Sequence, residues 1–309
     1  MKKLSIVIPI YNELESLPEL LDELASVLKG NYDYEIVCVD DGSSDGSAQF
    51  IRDQATQNEH VISLRLLKNA GKSAALRAGF KRASGDYIVT LDGDLQDDPG
   101  EIPNLVAKLE EGYDLVSGWK KKRLDPLSKR WPSKLFNIVT RLLTGIKIHD
   151  FNCGLKIYRK ELVKSIDVYG GRHRYIPVLA GQRKFKVGEI VVNHRPRQYG
   201  KTKYGGFRFF HGFFDLLSVL FLDRFDQRPL HLFGLFGVGS TLVSFVIEGY
   251  VIYLKVFAGH SFQKHFALIL FGAMLFFLGL WFFSVGLIAE MIARAQQTRE
   301  ERDYQVIED

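Results

Sequence analysis

Cysteine is scarce in this chain. Cys38 and Cys153 are the only two among 309 residues, too few for a disulfide framework. Cys38 falls inside the apolar run Tyr34–Val39 and reads as core rather than as a reactive thiol. No secretory leader is expected either. Met1-Lys2-Lys3 precedes an apolar run, but that run is short, contains Pro9 and leads into Tyr11-Asn12-Glu13. A large charge excess is also missing: the formal net charge is only +5, so where the charges lie matters more than their sum.

What the chain does have is a concentrated acidic stretch, Asp92-Gly93-Asp94-Leu95-Gln96-Asp97-Asp98-Pro99. It follows Tyr87-Ile88-Val89-Thr90-Leu91, an apolar run that reads as a buried parallel strand. Carboxylates crowded at a strand's C-terminal end repel one another, and a divalent cation relieves this. Hard oxygen ligands suit Mg²⁺ or Mn²⁺, which commonly bridge carboxylates and substrate phosphates. That edge of an open α/β sheet is also where ligands bind. An acidic turn capping the next helix, with Asp98 or Pro99 near its start, is the plainer alternative.

The surrounding sequence alternates strand and helix signals. Strands are expected at Leu4–Ile10, Tyr34–Val39, Val61–Leu66, Asp86–Leu91 and Asp114–Ser117. Helices are expected at Leu14–Leu28, from Lys72 to Ala83 and at Glu101–Leu109, with a further helix capped by the Asp40–Asp45 turn. Such alternation implies a parallel sheet with right-handed crossovers.

The C-terminal third changes character. Leu230–Leu254 and Phe266–Glu290 are each apolar and long enough to span a hydrocarbon core of roughly 30 Å. The link Lys255–His265 is short, so a hairpin is expected. Arg224 and Arg228 flank the first span, and Arg294 and Arg299 follow the second; the positive-inside rule then puts both termini in the cytoplasm. Glu248 interrupts the first span and calls for a partner within the bundle or at an oligomer contact. Gly234, Gly237, Gly239 and Ser240 would permit close helix packing. Phe207–Phe225 carries aromatic residues along one helical side and reads as an interfacial helix, with packing on the preceding domain as the alternative. Between Trp119 and Arg141 lies a basic cluster that includes Lys120, Lys121, Lys122, Arg123, Lys129, Arg130 and Lys134. Beside membrane spans it points to anionic lipid headgroups; without a nucleic-acid fold it does not point to nucleic acid.

Taken in order, Val7-Ile8-Pro9-Ile10-Tyr11-Asn12-Glu13, Val39-Asp40-Asp41-Gly42-Ser43, Asn69-Ala70-Gly71-Lys72, Asp92-Gly93-Asp94 and Asp150-Phe151-Asn152-Cys153-Gly154 resemble a family 2 glycosyltransferase of GT-A fold. The similarity covers about residues 4–205 and is greatest to polyprenyl-phosphate glycosyltransferases, which include dolichyl-phosphate mannose synthases and undecaprenyl-phosphate glucosyltransferases of the GtrB type. The resemblance implies an α/β, Rossmann-like and mostly parallel catalytic domain at 1–205. A juxtamembrane interfacial region would follow at 206–229, two transmembrane helices at 230–294 and a cytoplasmic tail at 295–309.

It also implies site residues. Asp92, Asp94 and Gln96 would hold Mg²⁺ or Mn²⁺. Pro9, Tyr11, Glu13 and Asp41 would bind the nucleoside, and Asp40 would instead brace the turn or orient Asp41. Lys72 would approach the donor, with capping and surface roles equally open. Lys203, in a segment like the family's Arg-x-x-Gly-x-Ser-Lys loop but with Thr202 for the serine, would lie over the diphosphate. Arg130, Ser133, Lys134 and Lys120 would bind the acceptor phosphate. Asp150 would lie beside the sugar, as a base or a positioning group; holding the turn before Asn152 is its structural alternative.

The reaction expected from the resemblance is inverting, metal-dependent transfer of glucose from UDP-glucose to undecaprenyl phosphate at the cytoplasmic face of the inner membrane. GDP-mannose and a UDP-aminoarabinose-type sugar are alternative donors, and a homo-oligomer, such as a tetramer, is expected. A processive synthase is disfavoured because Leu127 stands where a Gln-x-x-Arg-Trp motif needs glutamine. A transferase to a neutral lipid hydroxyl, a flippase and a non-catalytic scaffold are the remaining alternatives.

Overall fold

The computed structural model describes residues 2–121, 137–168, 172–196 and 229–303. Two compact units divide the chain, one through Val219 and one from Leu220 onward.

The first unit is built on a seven-stranded sheet. Its strands are β1 (Lys3–Ile10), β2 (Asp33–Asp40), β3 (Val61–Arg65), β4 (Tyr87–Thr90), β5 (Leu115–Trp119), β6 (Lys156–Arg159) and β7 (Val187–Val191), in the order β3-β2-β1-β4-β6-β5-β7. β1 pairs in parallel with β2 and β4, β2 with β3, and β5 with β7. β6 is the antiparallel member, inserted between β4 and β5. The expected mostly parallel sheet is therefore present, with an antiparallel strand that the sequence reading did not anticipate. Only four residues long and lysine- and arginine-ended, β6 gives no apolar run to detect.

Period-two alternation divides the core into two layers. Leu4, Ile6, Ile8 and Ile10 face one side with Ile36 and Cys38; there they meet α1 (Leu17–Leu28), α2 (Ser47–Gln57) and α4 (Ile102–Glu110). Val7, Val37, Val39 and Ile88 face the other, against α3 (Lys72–Arg82), α6 (Lys160–Ser165) and α7 (Ile176–Gln182). A short helical stretch, α5, occupies 137–144. α1 illustrates the local logic. Pro18 stands in its first turn, and Leu17, Leu20, Leu21, Leu24 and Leu28 are buried at helical spacing. It begins later than expected because Ser16 and Leu17 both donate backbone bonds to the Glu13 carbonyl, forming a turn first. Cys38 is fully buried, and burial pushes its thiol up to about 12, as a core cysteine requires.

The second unit is a helical hairpin, α8 (Pro229–Phe257) and α9 (Phe266–Asp303). Apolar stretches of 29 and 31 residues, Pro229–Phe257 and Phe262–Ile292, are long enough to cross a membrane. Gly237, Ser244 and Val251, the buried positions of α8 beyond Pro229, recur every seventh residue. Gly272, Gly279 and Gly286 of α9 recur at the same spacing and have no room for a Cβ against α8. This is a small-residue seam that lets two antiparallel backbones approach closely. Ser244 Oγ donates to the Gly272 carbonyl at 2.7 Å, and the Glu248 carboxylate lies against Gly272, so Glu248 meets its neighbour within the hairpin. Of the glycines expected to mediate close packing, Gly237 does so inside the hairpin, whereas among the described residues nothing lies within 4 Å of a Cβ at Gly239.

Candidate active site

The acidic loop leaves the C-terminal end of β4, where strand order places it beside β1 and β6. Its carboxylates divide into two kinds. Asp97 and Asp98 hold the loop together. Asp97 is fully buried and accepts from the Asp92 backbone N–H at 3.3 Å. Asp98 accepts from the Gly100 N–H at 3.0 Å, which is the capping role weighed above, and pairs with Arg195 at 2.8 Å. Arg195 also reaches Glu23 of α1 at 2.7 Å, tying the loop to the helix layer.

Asp92 and Asp94 lie toward the opening and are partly exposed. Asp94 accepts from the Gln96 N–H at 3.3 Å, so the three expected metal-site residues form one local turn, with Leu95 held at φ 58° between them. Asp92 pairs closely with Lys72 at the start of α3. Burial would raise the Asp92 carboxyl, but Lys72, with Lys120 and Lys156 beyond it, holds it down at about 2. Gly154 makes room for this arrangement: a Cβ there would sit 2.7 Å from Asp92 Cγ and from Asp97 Oδ2. Among the described residues no three His, Cys, Asp or Glu side chains converge on one point. Two carboxylates and an amide oxygen in one turn instead match a hard cation that completes its shell with water and substrate phosphates.

The residues expected to bind the nucleoside lie at the ends of β1 and β2. Tyr11, Asn12 and Glu13 follow β1. Asn12, at φ 52°, receives the Ser44 N–H on Oδ1 at 2.8 Å, while its own N–H donates to Ser43 Oγ at 2.9 Å. The Glu13 side chain lies over Gly93, whose ideal Cβ would be 3.7 Å from Glu13 Cγ. Asp41, expected to contact the nucleoside, binds backbone N–H groups. Its two carboxylate oxygens accept the N–H groups of Ala70 and Gly71 at 2.7 and 2.9 Å, bracing the Asn69–Lys72 loop. Asp40 braces its own turn through the Ser43 N–H at 3.1 Å. Gly42, at φ 72°, passes so close to Asn69 that a Cβ would lie 2.7 Å from its nitrogen.

Lys120, expected to bind the acceptor phosphate, faces a buried carboxylate. It is 9% exposed and forms an ion pair with Asp97 at 2.7 Å, close in distance but not aligned as a hydrogen bond. Burial opposes its charge, yet Asp97 holds the ammonium well above the usual lysine range. Arg130, Ser133, Lys134 and Lys203 lie outside the described residues, as does the expected interfacial helix Phe207–Phe225.

Asp150 is buried at 2% exposure. Its Oδ1 accepts the Asn152 N–H at 3.0 Å, the turn-holding role, while Oδ2 is buried and has no hydrogen-bond partner among the described residues. The preceding His149 is clamped by Glu189 of β7, whose carboxylate takes both its ring Nδ1 and, at 2.6 Å, its backbone N–H. Its ring stacks on Trp119 at 4.2 Å between centroids.

Sequence reasoning missed a group on the other side of Asp92. Lys156, His173 and Arg174 line a cavity of about 80 Å³ together with Pro9, Lys72, Asp92, Gly154 and Tyr158. Thr90 Oγ1, at the end of β4, donates to the Gly154 carbonyl at 2.9 Å and fixes that wall. A lysine between Leu155 and Ile157 was the available signal, since an ammonium within an apolar strand must be accommodated by something.

Comparison with known proteins gives a consistent result. The sequence model of glycosyl transferase family 2 matches residues 5–167. An undecaprenyl-phosphate 4-deoxy-4-formamido-L-arabinose transferase of Shewanella sediminis (strain HAW-EB3) is 38% identical over 307 residues, covering 99% of this chain and 91% of its own. One from Pseudomonas savastanoi pv. phaseolicola (strain 1448A / Race 6) is 36% identical over 296 residues, covering 95% and 86%. These relatives are named for a formamidoarabinose and not for glucose, so the UDP-glucose expectation gains no support from them, whereas the aminoarabinose-type alternative fits. Glucosyl-3-phosphoglycerate synthase of Mycobacterium tuberculosis, crystallised with Mn²⁺, uridine-diphosphate-glucose and phosphoglyceric acid, shares the fold. Its TM-score is 0.56 at 20% identity, over 71% of this chain and 80% of that one.

Proposed function

The chain belongs to glycosyl transferase family 2, and on that premise we propose that this glycosyltransferase moves a 4-amino-4-deoxy-arabinose-type sugar, N-formylated as in its relatives, from a uridine diphosphate carrier to undecaprenyl phosphate. The observation that carries this reading is similarity running through both the catalytic unit and the apolar hairpin, over 99% of the chain for one relative. A soluble acceptor would give an enzyme no use for that hairpin. The hairpin would anchor the enzyme in the inner membrane with both termini cytoplasmic, so that a lipid headgroup reaches the sheet's C-terminal edge.

Asp92 and Asp94, with Gln96, are the residues that would hold Mg²⁺ or Mn²⁺. A divalent cation there supplies Lewis-acid stabilisation of the departing diphosphate. The remaining work falls to the chain itself. Asp41 fixes the loop that presents Lys72, and the Lys72 ammonium stands at the carboxylate edge where negative charge grows during departure. Arg130, Ser133 and Lys134 would hold the acceptor phosphate, and Lys203 would cover the donor diphosphate.

A phosphate monoester, with a second pKa of about 6, is anionic at neutral pH and needs little help from a base. Asp150, which already holds its own turn, therefore acts as a positioning group for the loop beside the sugar. Attack from the face opposite the diphosphate inverts the anomeric centre through an oxocarbenium-like transition state.

The test uses full-length protein in liposomes containing undecaprenyl phosphate, given radiolabelled UDP-formamidoarabinose or UDP-glucose with and without Mn²⁺. Metal-dependent label in the lipid phase from the formamidoarabinose donor is expected. Preferential labelling from UDP-glucose would overturn the donor assignment, and no lipid label from either would overturn the acceptor assignment.

A further inference from the structure

The cavity beside Asp92 is lined by more cationic side chains than carboxylates. Lys72, Lys156 and Arg174 line it, and Asp92 is the facing carboxylate. Lys156 is 3% exposed, and among the described residues it donates to the neutral carbonyl of Cys153. Arg174 Nε is buried without a hydrogen-bond partner among the described residues. His173 cannot supply a counter-charge; its ring nitrogen meets Ser73 Oγ at 3.0 Å. Burial, with Lys72 and Arg174 next in order, keeps that imidazole well below its ordinary pKa, hence neutral. The Lys156 ammonium is likewise pushed down, first by burial and then by Lys72. Cations gathered in a low-dielectric space without matching anions raise the folding free energy unless an anion joins them. Proteins tolerate such strain at sites where a ligand relieves it.

We propose that Lys156 and Arg174 form a phosphate-binding subsite, continuous with the metal-side carboxylates, that takes a phosphoryl group of a reacting substrate. This rests on the transferase reading above and adds two residues to it. A phosphate fits the geometry for two reasons. It brings several acceptor oxygens to a set of donors that includes Lys156 Nζ, Arg174 Nε and Lys72 Nζ, and charge-assisted bonds of this kind are the strong ones. It also brings the negative charge that the cavity lacks. Asp92, paired with Lys72, is the one carboxylate among the described residues that line the cavity, and Asp150 also bears on Lys156, so Arg174 is the cation there without a facing carboxylate in the lining.

Two substrates carry such a group: the donor, through the phosphate bonded to its sugar, and the lipid acceptor. Binding measurements on full-length Arg174→Gln and Lys156→Gln proteins in detergent distinguish them. Calorimetry with UMP and UDP, each with Mn²⁺, reads the donor arm; the apparent KM for undecaprenyl phosphate reads the acceptor arm. Loss of one charge-assisted bond corresponds to roughly tenfold. If the subsite serves the donor, UDP binds about tenfold more weakly to the variants while UMP affinity is unchanged. If it serves the acceptor, UDP affinity is retained and the lipid KM rises by about that factor.

Arg174 is partly exposed, so Arg174→Gln keeps the experiment decisive should the buried Lys156→Gln protein not fold. Wild-type UDP affinity and wild-type lipid KM in folded Arg174→Gln overturn the proposal. If wild-type protein binds neither uridine nucleotide, the uridine donor reading has failed; the lipid KM of Arg174→Gln then decides the subsite alone, and an unchanged value overturns it.

Discussion

Replacing Lys120 by methionine separates two roles for that residue by their effect on stability. The ammonium is 9% exposed and stands 2.7 Å from Asp97, whose side chain is fully buried. Methionine fills a similar volume, so packing is nearly kept, but it leaves the Asp97 carboxylate buried without its cation. Breaking a buried pair from one side costs about 3–5 kcal/mol, most of it the stranded charge. For a unit of this size each kcal/mol moves the melting temperature by about 2–4 °C, so Lys120→Met is expected to melt roughly 6–20 °C below wild type.

Adding Asp97→Asn should restore at least half of the loss. Asparagine removes the stranded charge and its Oδ1 still accepts the Asp92 N–H. Thermal unfolding of the full-length proteins in detergent, followed by tryptophan fluorescence, reads both variants. A Lys120→Met protein that melts within about 2 °C of wild type, under about 1 kcal/mol, and shows a raised lipid KM would refute the argument and return Lys120 to the acceptor phosphate.

Three further outcomes are expected. Asp94→Ala should abolish metal-dependent transfer while melting close to wild type, because Asp94 is partly exposed at the loop's open side; normal turnover by the folded variant would remove Asp94 from the metal site. Gly154→Ala forces a methyl to 2.7 Å from Asp92 Cγ, so turnover should fall steeply for a stability loss of about 1–3 kcal/mol; wild-type kinetics would show that the loop does not need that close approach.

Glu35 supplies the pH prediction. Burial would raise its carboxyl, but bonds from Ser5 and Ser84 and the nearby Lys3 bring it to about 2 from an ordinary 4.5. Its stabilisation, about 3 kcal/mol, is therefore complete above pH 4.5 and is lost as the pH falls toward 2. The melting-temperature gap between wild type and Glu35→Gln should narrow across that window and stay flat above it; a gap that widens on acidification contradicts the sign.

The parts of the fold legible in the sequence were those with long, regular patterns. β1, β2 and β4 are unbroken apolar runs, and α1 repeats leucine at helical spacing. The two apolar helices needed only length. β6 and β7 were not legible, since Lys156–Arg159 and Val187–Val191 are short and have polar residues that tertiary contacts alone explain. The same limit applies within the site. The acidic loop was visible as a stretch, but nothing local separates Asp92 and Asp94, which face the opening, from Asp97 and Asp98, which face Lys120 and Arg195. Lys120 read as part of a basic cluster for the acceptor phosphate because sequence neighbours do not reveal that it follows β5 to face a buried aspartate. Asp41 was expected to contact the nucleoside, and its bracing of the Asn69–Lys72 loop could not be read locally because it is set by Ala70 and Gly71 some thirty positions away.

The central claim is that the acceptor is a lipid phosphate. Mass spectrometry of the lipid extract after turnover, with undecaprenyl phosphate or undecaprenol as sole acceptor, tests it most directly. The account predicts a sugar-phosphate-lipid diester from the first and no product from the second. A glycosylated undecaprenol, or donor consumed with undecaprenyl phosphate returned unmodified, would contradict it.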